Sequence, residues 1–120
     1  MKLVILITAK TEQTLEIATA WQQAGATGVT ILEGYGLRRL QETMGIRDDL
    51  PLVPSLSALM RGKEVETHLL ISVVHDELSE TLHQETMHIL GDLTLPGNGV
   101  MLTLDVASLV GLRKNNSDPG

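Results

Sequence analysis

Few residues in this chain have types and spacings that do chemistry. Its imidazoles are His68, His75, His83 and His88, and it has no cysteine. Without Cys there is no disulfide, no thiol nucleophile and no thiolate metal site. His83 and His88 stand five apart, which on a helix turns them to different sides. His68 and His75 fall on opposite faces of a strand continued through both. No pair has the i, i+4 spacing of a helical metal site, so no metal ligand set is assigned. His75 precedes Asp76 and Glu77 and reads as part of a helix start. Asp48 and Asp49 adjoin in a loop instead of facing each other across a cleft, so they are not placed as a general acid and base. No Ser-centred elbow, phosphate-binding Walker motif or redox motif is present. The chain is therefore read as a non-enzyme, with a small enzyme using His68 as general acid-base as the catalytic alternative.

Binding chemistry is better represented. Gly97-Asn98-Gly99 can present successive backbone N–H groups to an anion, or serve as a plain turn. Arg38-Arg39 and Arg113-Lys114 are the adjacent basic pairs, able to gather an anion at a cleft in a chain of net charge −6, or to sit as solvated surface charge. Arg47, Asp48 and Asp49 lie among Leu50, Leu52, Val53, Leu56, Leu59 and Met60 in a long segment without sustained period. Long irregular segments in small domains are commonly functional, and this one reads as a docking loop, with Arg39 at its start.

These residues must be held by a small frame. The 120 residues are 42% hydrophobic, which makes one domain. The acidic balance argues against nucleic acid and anionic membranes as partners. Aromatics are Trp21 and Tyr35 alone, so the core is aliphatic and no platform exists for stacking bases. The apolar run Leu3–Ile7 is too short for a signal-peptide core or a membrane span, and a cytoplasmic location is expected.

Leu3–Ile7 reads as a first strand. Thr11 caps a helix whose buried face carries Ile17, Trp21 and Ala24, and Gly25 ends it. A second strand covers Gly28–Leu32, and a third about Val65–Val74. Ser55–Met60 can form a short helix. Asp76 caps a helix with Leu78, Leu82, Thr86 and Ile89 on one face, and Gly91 closes it. Leu95–Gly99 is a turn, and Val100–Val106 is strand four. The order β-α-β-β-α-β predicts an α+β, ferredoxin-like domain: an antiparallel sheet with both helices on one face.

Such a sheet normally alternates apolar and polar side chains. Here Leu3, Ile5 and Ile7 oppose Val4 and Leu6, while Leu69, Ile71 and Val73 oppose Leu70 and Val74. Val100, Leu102 and Leu104 oppose Met101. Two helices cover one face, and a contiguous apolar patch is rare on a soluble monomer. The expectation is sheet-to-sheet packing between subunits, the alternative being cover from the long loop or the tail.

One further pattern is recognisable. Helix one followed by Gly25-Ala26-Thr27-Gly28-Val29-Thr30-Ile31 and Gly34-Tyr35-Gly36-Leu37-Arg38 resembles the passage from helix one to strand two of PII signalling proteins. Pro96-Gly97-Asn98-Gly99-Val100-Met101 resembles that family's B-loop, and Leu109–Lys114 its C-loop. The resemblance implies a domain over residues 1–114 with a long mobile loop at 34–62; the polar tail at 115–120, with a Pro and a Gly at its end, reads as disordered. The resemblance also implies a homotrimer, adenine nucleotide (ATP, ADP or AMP) as small-molecule effector in clefts between subunits, and a target protein bound through the long loop. The residues implied in the cleft are Thr30, Gly34, Gly36, Arg38, Gly97, Asn98, Gly99, Arg113 and Lys114. Val100 stands where the family has a phosphate-gripping Lys, and Gly111 where it has one of two arginines. Each missing charge-assisted bond is worth roughly 1.5–3 kcal/mol, so a less charged effector is also implied. A CutA-like trimer binding divalent metal is the neighbouring alternative.

Overall fold

A computed structural model of the chain describes residues 1–44 and 66–112. Strand β1 spans Lys2–Thr8. A 3-10 turn at Thr11–Gln13 leads into helix α1, Thr14–Ala24. Strand β2 is Thr30–Tyr35, helix α2 Leu37–Met44 and strand β3 Glu66–Val74. Helix α3 spans Asp76–Leu90, and strand β4 Val100–Asp105. The strands form one antiparallel sheet in the order β2-β3-β1-β4. The chain is thus α+β, with β1 and β2 parallel to each other and β3 between them, a topology compatible with the ferredoxin-like plan. Among the described residues no helix is long and apolar enough to cross a membrane.

The core lies between the sheet and helices α1 and α3. Val4 and Leu6 of β1, Leu70 and Val74 of β3, Ile17, Ala18 and Trp21 of α1, and Leu82 and Leu90 of α3 form one buried cluster. Full burial of each large aliphatic side chain contributes roughly 1.5–3 kcal/mol, which outweighs the intrinsic preference of any short segment. Trp21, Thr86 and Ser72 place polar groups inside this layer, and each of them finds a partner. The Trp21 indole N–H donates to Thr86 Oγ1 at 2.9 Å, and the Thr86 hydroxyl donates to the Leu82 carbonyl at 2.7 Å. The buried Ser72 hydroxyl donates to the Gly28 carbonyl at 2.6 Å, fastening the connection between α1 and β2 to the middle of β3.

The opposite face is also apolar. Register places Leu32, Leu69, Ile7 and Val100 in one row across the four strands. A second row is Thr30, Ile71, Ile5 and Leu102, and a third is Val73, Leu3 and Leu104. The outer members Leu32, Val100, Leu102 and Leu104 are 44–54% exposed.

Several sequence expectations are corrected. Strand β2 begins at Thr30, two residues beyond Gly28, and runs through Gly34 to Tyr35. The segment expected to be a loop from Gly34 therefore starts as strand and continues as helix α2. That helix makes two turns, too few for a period to stand out. It is held by burial of Leu40, by the Leu40 N–H donating to the Gly36 carbonyl at 3.0 Å, and by an Arg38–Glu42 pair at 3.2 Å. Thr11 lies in the 3-10 turn, and the N-cap of α1 is Gln13. His75 is the N-cap of α3, and Asp76 pairs with the N-terminal amine of Met1 at 2.8 Å instead of capping. The expected helix Ser55–Met60 and tail 115–120 fall outside the described residues.

Because the Trp21–Thr86 bond is fully buried, Thr86→Val should preserve shape while orphaning the indole N–H. We expect a loss of about 1–3 kcal/mol in chemical denaturation. Unchanged stability would show that the bond contributes nothing.

Candidate functional site

The chemistry-bearing residues collect at one end of the sheet, where β1 and β2 finish and β3 and β4 begin. On the open-face side this end carries a cleft of ≈ 420 Å³. Ile7, Ala9, Leu93 to Pro96 and Val100 give it apolar walls, and Gly97, Gly99, Thr67 and Arg39 give it polar groups.

The Gly97–Gly99 turn is fixed from beneath. The Lys10 ammonium donates to Asn98 Oδ1 at 2.8 Å and to the Leu90 carbonyl at 3.4 Å, tying the turn to the last carbonyls of α3. The Asn98 amide donates to the Asp92 carbonyl at 2.7 Å, and the Thr8 hydroxyl donates to the Asn98 carbonyl at 3.4 Å. Asp92 in turn accepts from the Thr94 hydroxyl at 2.7 Å and the Thr94 N–H at 2.9 Å. Those bonds, the hydroxyl's first, hold its carboxyl below the ordinary 3.8. Gly99 adopts φ +136°, and a Cβ there would lie 2.9 Å from the Ile7 carbonyl oxygen. Only glycine lets the turn pass so close to β1.

Among the residues singled out by sequence, Gly97 and Gly99 line this cleft. Gly36 adjoins it: a Cβ added there would lie 3.7 Å from the Thr67 hydroxyl and 3.9 Å from the Arg39 side chain. Arg39, expected at the start of the docking loop, lies on α2 and lines the cleft. Gly34 sits inside β2 opposite Thr67. Arg38 points to solvent from α2, paired with Glu42. Asn98 spends its side chain holding the turn. Thr30 lies on β2, at the opposite edge of the sheet from the turn that opens β4. Three strand spacings of about 4.8 Å separate those edges, so one chain does not bring Thr30 to the turn. Arg47, Asp48, Asp49, Arg113 and Lys114 lie outside the described residues.

Sequence spacing missed a second group on the helix side of the same sheet end: Glu33, Glu66 and His68. Register sets Glu33 directly opposite His68, and Glu66 follows the same face of β3 two residues earlier. One ligand atom from each of the three lies within 4.8 Å of the others. Thr14, at the start of α1, meets His68 Nδ1 through its hydroxyl at 2.7 Å. His68 Nε2 stands 3.5 Å from Glu66 Oε1. That nitrogen is buried without a hydrogen-bond partner. Cross-strand neighbours far apart in sequence carry no spacing signal, and only the register of β2 on β3 reveals them.

No family model and no curated protein matches this chain. The fold and the arrangement of these side chains therefore carry the functional reading.

Two predictions follow from the turn's construction. Gly99→Ala combines a disfavoured φ with the contact on Ile7, and should cost about 2–4 kcal/mol in denaturant titrations. Gly97→Ala, with φ +88° and nothing within 4 Å of a Cβ, should cost about 1–2 kcal/mol. Equal costs would contradict the close approach. Asp92 has a depressed folded pKa, so its contribution is present above pH 3.8 and disappears as pH falls through the lower folded value. The Tm gap between wild type and Asp92→Ala should therefore shrink below pH 3.8. A gap independent of pH would contradict the role given to Thr94.

Proposed function

We propose that this chain is a PII-like regulatory subunit. It assembles as a homotrimer through the open face of its sheet, senses a small effector at the cleft beside the Gly97–Gly99 turn, and passes the ligand state to a target protein through the long segment between β2 and β3. The observation that carries the reading is the open sheet face. One row of aliphatic side chains runs across all four strands and two more across β3, β1 and β4, with no helix of the α1–α3 layer above them. A sheet face of this composition is stable in water when a second layer covers it. A face-to-face trimer supplies that layer, and it brings the far edge of one subunit's sheet toward a neighbour. In such an assembly Thr30 of one subunit reaches the turn of the next, which a single chain cannot achieve.

The cleft supports an effector with an apolar body and an anionic end. Its walls are aliphatic, the turn offers backbone N–H groups, and Arg39 adds a cation. Adenine nucleotides have this character. ADP or AMP suits the cleft better than ATP, because Val100, which lines it, stands where the resembled family has a phosphate-gripping Lys.

Two measurements test the reading together. Calorimetric titration with ATP, ADP and AMP should give about one site per chain, with affinity reduced roughly tenfold in Arg39→Ala and in Arg113→Ala. Leu102→Glu, a change on an exposed edge-strand position, should dissociate the trimer while the chain stays folded by circular dichroism. Silence toward all three nucleotides would remove the effector, and a wild type that is already monomeric would remove the assembly.

A further inference from the structure

We propose that Glu33, Glu66 and His68 form a binding site for a single divalent transition-metal ion, of which Zn²⁺ is the type. The site lies on the helix side of the sheet, within one chain, and does not depend on the effector cleft or on the assembly.

Three features single out this group. The first is the donor set. One imidazole and two carboxylates are the ligand types Zn²⁺ takes in sites with three protein ligands and an open fourth position. The second is the state of the imidazole. The Thr14 hydroxyl holds Nδ1 at 2.7 Å, which fixes the ring plane as outer-sphere partners of metal-bound histidines do. Nε2 is buried with no hydrogen-bond partner, and in the tautomer whose Nδ1–H donates to that hydroxyl oxygen it offers a bare lone pair. Acidic residues at the start of α1 are accounted for by the helix dipole, but an orphaned imidazole nitrogen is not.

The third feature is distance. His68 Nε2 and Glu66 Oε1 are 3.5 Å apart. Two donors bound at 2.0–2.1 Å to one tetrahedral ion stand about 3.4 Å from each other, so this separation is already that of a bound pair. The third donor atom, on Glu33, lies within 4.8 Å of both and comes from the more exposed β2 residue, which can close by side-chain rotation. The open coordination position faces a cavity of ≈ 360 Å³ lined by Thr11 and Glu12 as well as the three ligands. Glu12 or water completes the shell from that side.

The test uses untagged full-length protein stripped with a chelator and confirmed folded. Titration with Zn²⁺ should show about one ion per chain, and Co²⁺ should give the intense visible absorption of a tetrahedral site. His68→Gln and Glu33→Gln should each lower Zn²⁺ affinity at least tenfold. Thr14→Val, which touches no metal, should lower it roughly 10–100-fold by freeing the ring. Glu33 is exposed on a strand, so Glu33→Gln keeps the test valid if His68→Gln does not fold. Failure of the folded wild type to take up Zn²⁺ or Co²⁺, or uptake undiminished in Glu33→Gln, would overturn the assignment and leave the group as a His–Glu ion pair. Because the readouts are metal uptake and absorption, that outcome would leave the nucleotide and assembly measurements untouched.

Discussion

The structure turns on a mismatch between what the sheet must bury and what the helices can cover. Strand β1 lies between β3 and β4; β1 and β3 carry aliphatic residues on both faces, and β4 carries them on the open face. Helices α1 and α3 seal one face with Trp21, Ile17, Leu82 and Leu90 over Val4, Leu6, Leu70 and Val74. That layer is complete, down to the buried Trp21–Thr86–Leu82 relay that leaves no polar atom of those three groups unpaired. The other face has the same chemistry and no helix from that layer. The hydrophobic effect does not distinguish the two faces, so the second needs a second layer as much as the first does.

The same constraint explains where function can sit. The two faces meet at the sheet end formed by the last residues of β1 and β2 and the first of β3 and β4. On the open side, the Gly97–Gly99 turn and Arg39 line a cleft that shares Ile7 and Val100 with the apolar face. On the helix side, Glu33, Glu66 and His68 gather under the first turn of α1. Alternation along the strands separates the two groups: Thr67 faces the cleft, while its neighbours Glu66 and His68 face the helices.

How much of this was legible in the sequence depended on the range of the signal. Strands β1 and β3 announce themselves as aliphatic runs, and α1 by Ile17 and Trp21 one turn apart. The two-faced character of the sheet could be read from the same runs, because a strand's period is fixed. Helix α2 could not be read, since two turns with Leu37 and Leu40 do not establish a period and burial of Leu40 is a tertiary fact. Capping was misplaced where a competing partner existed: Asp76 turns to the Met1 amine. Asn98 was recognised as part of a special turn, but its bond to Lys10 bridges 88 positions and has no local trace. The Glu33–Glu66–His68 group is illegible for the same reason. It exists only because β2 registers on β3 with Glu33 opposite His68.

The central claim is that the open face is covered by other copies of this chain. The most direct measurement is the molar mass of the wild-type protein by light scattering across a dilution series. The account predicts a particle of three 13.0 kDa chains that persists on dilution, as expected when three sheets share one apolar interior. A mass of one chain at every concentration would contradict it, and would mean that the chain's own remaining residues cover the face.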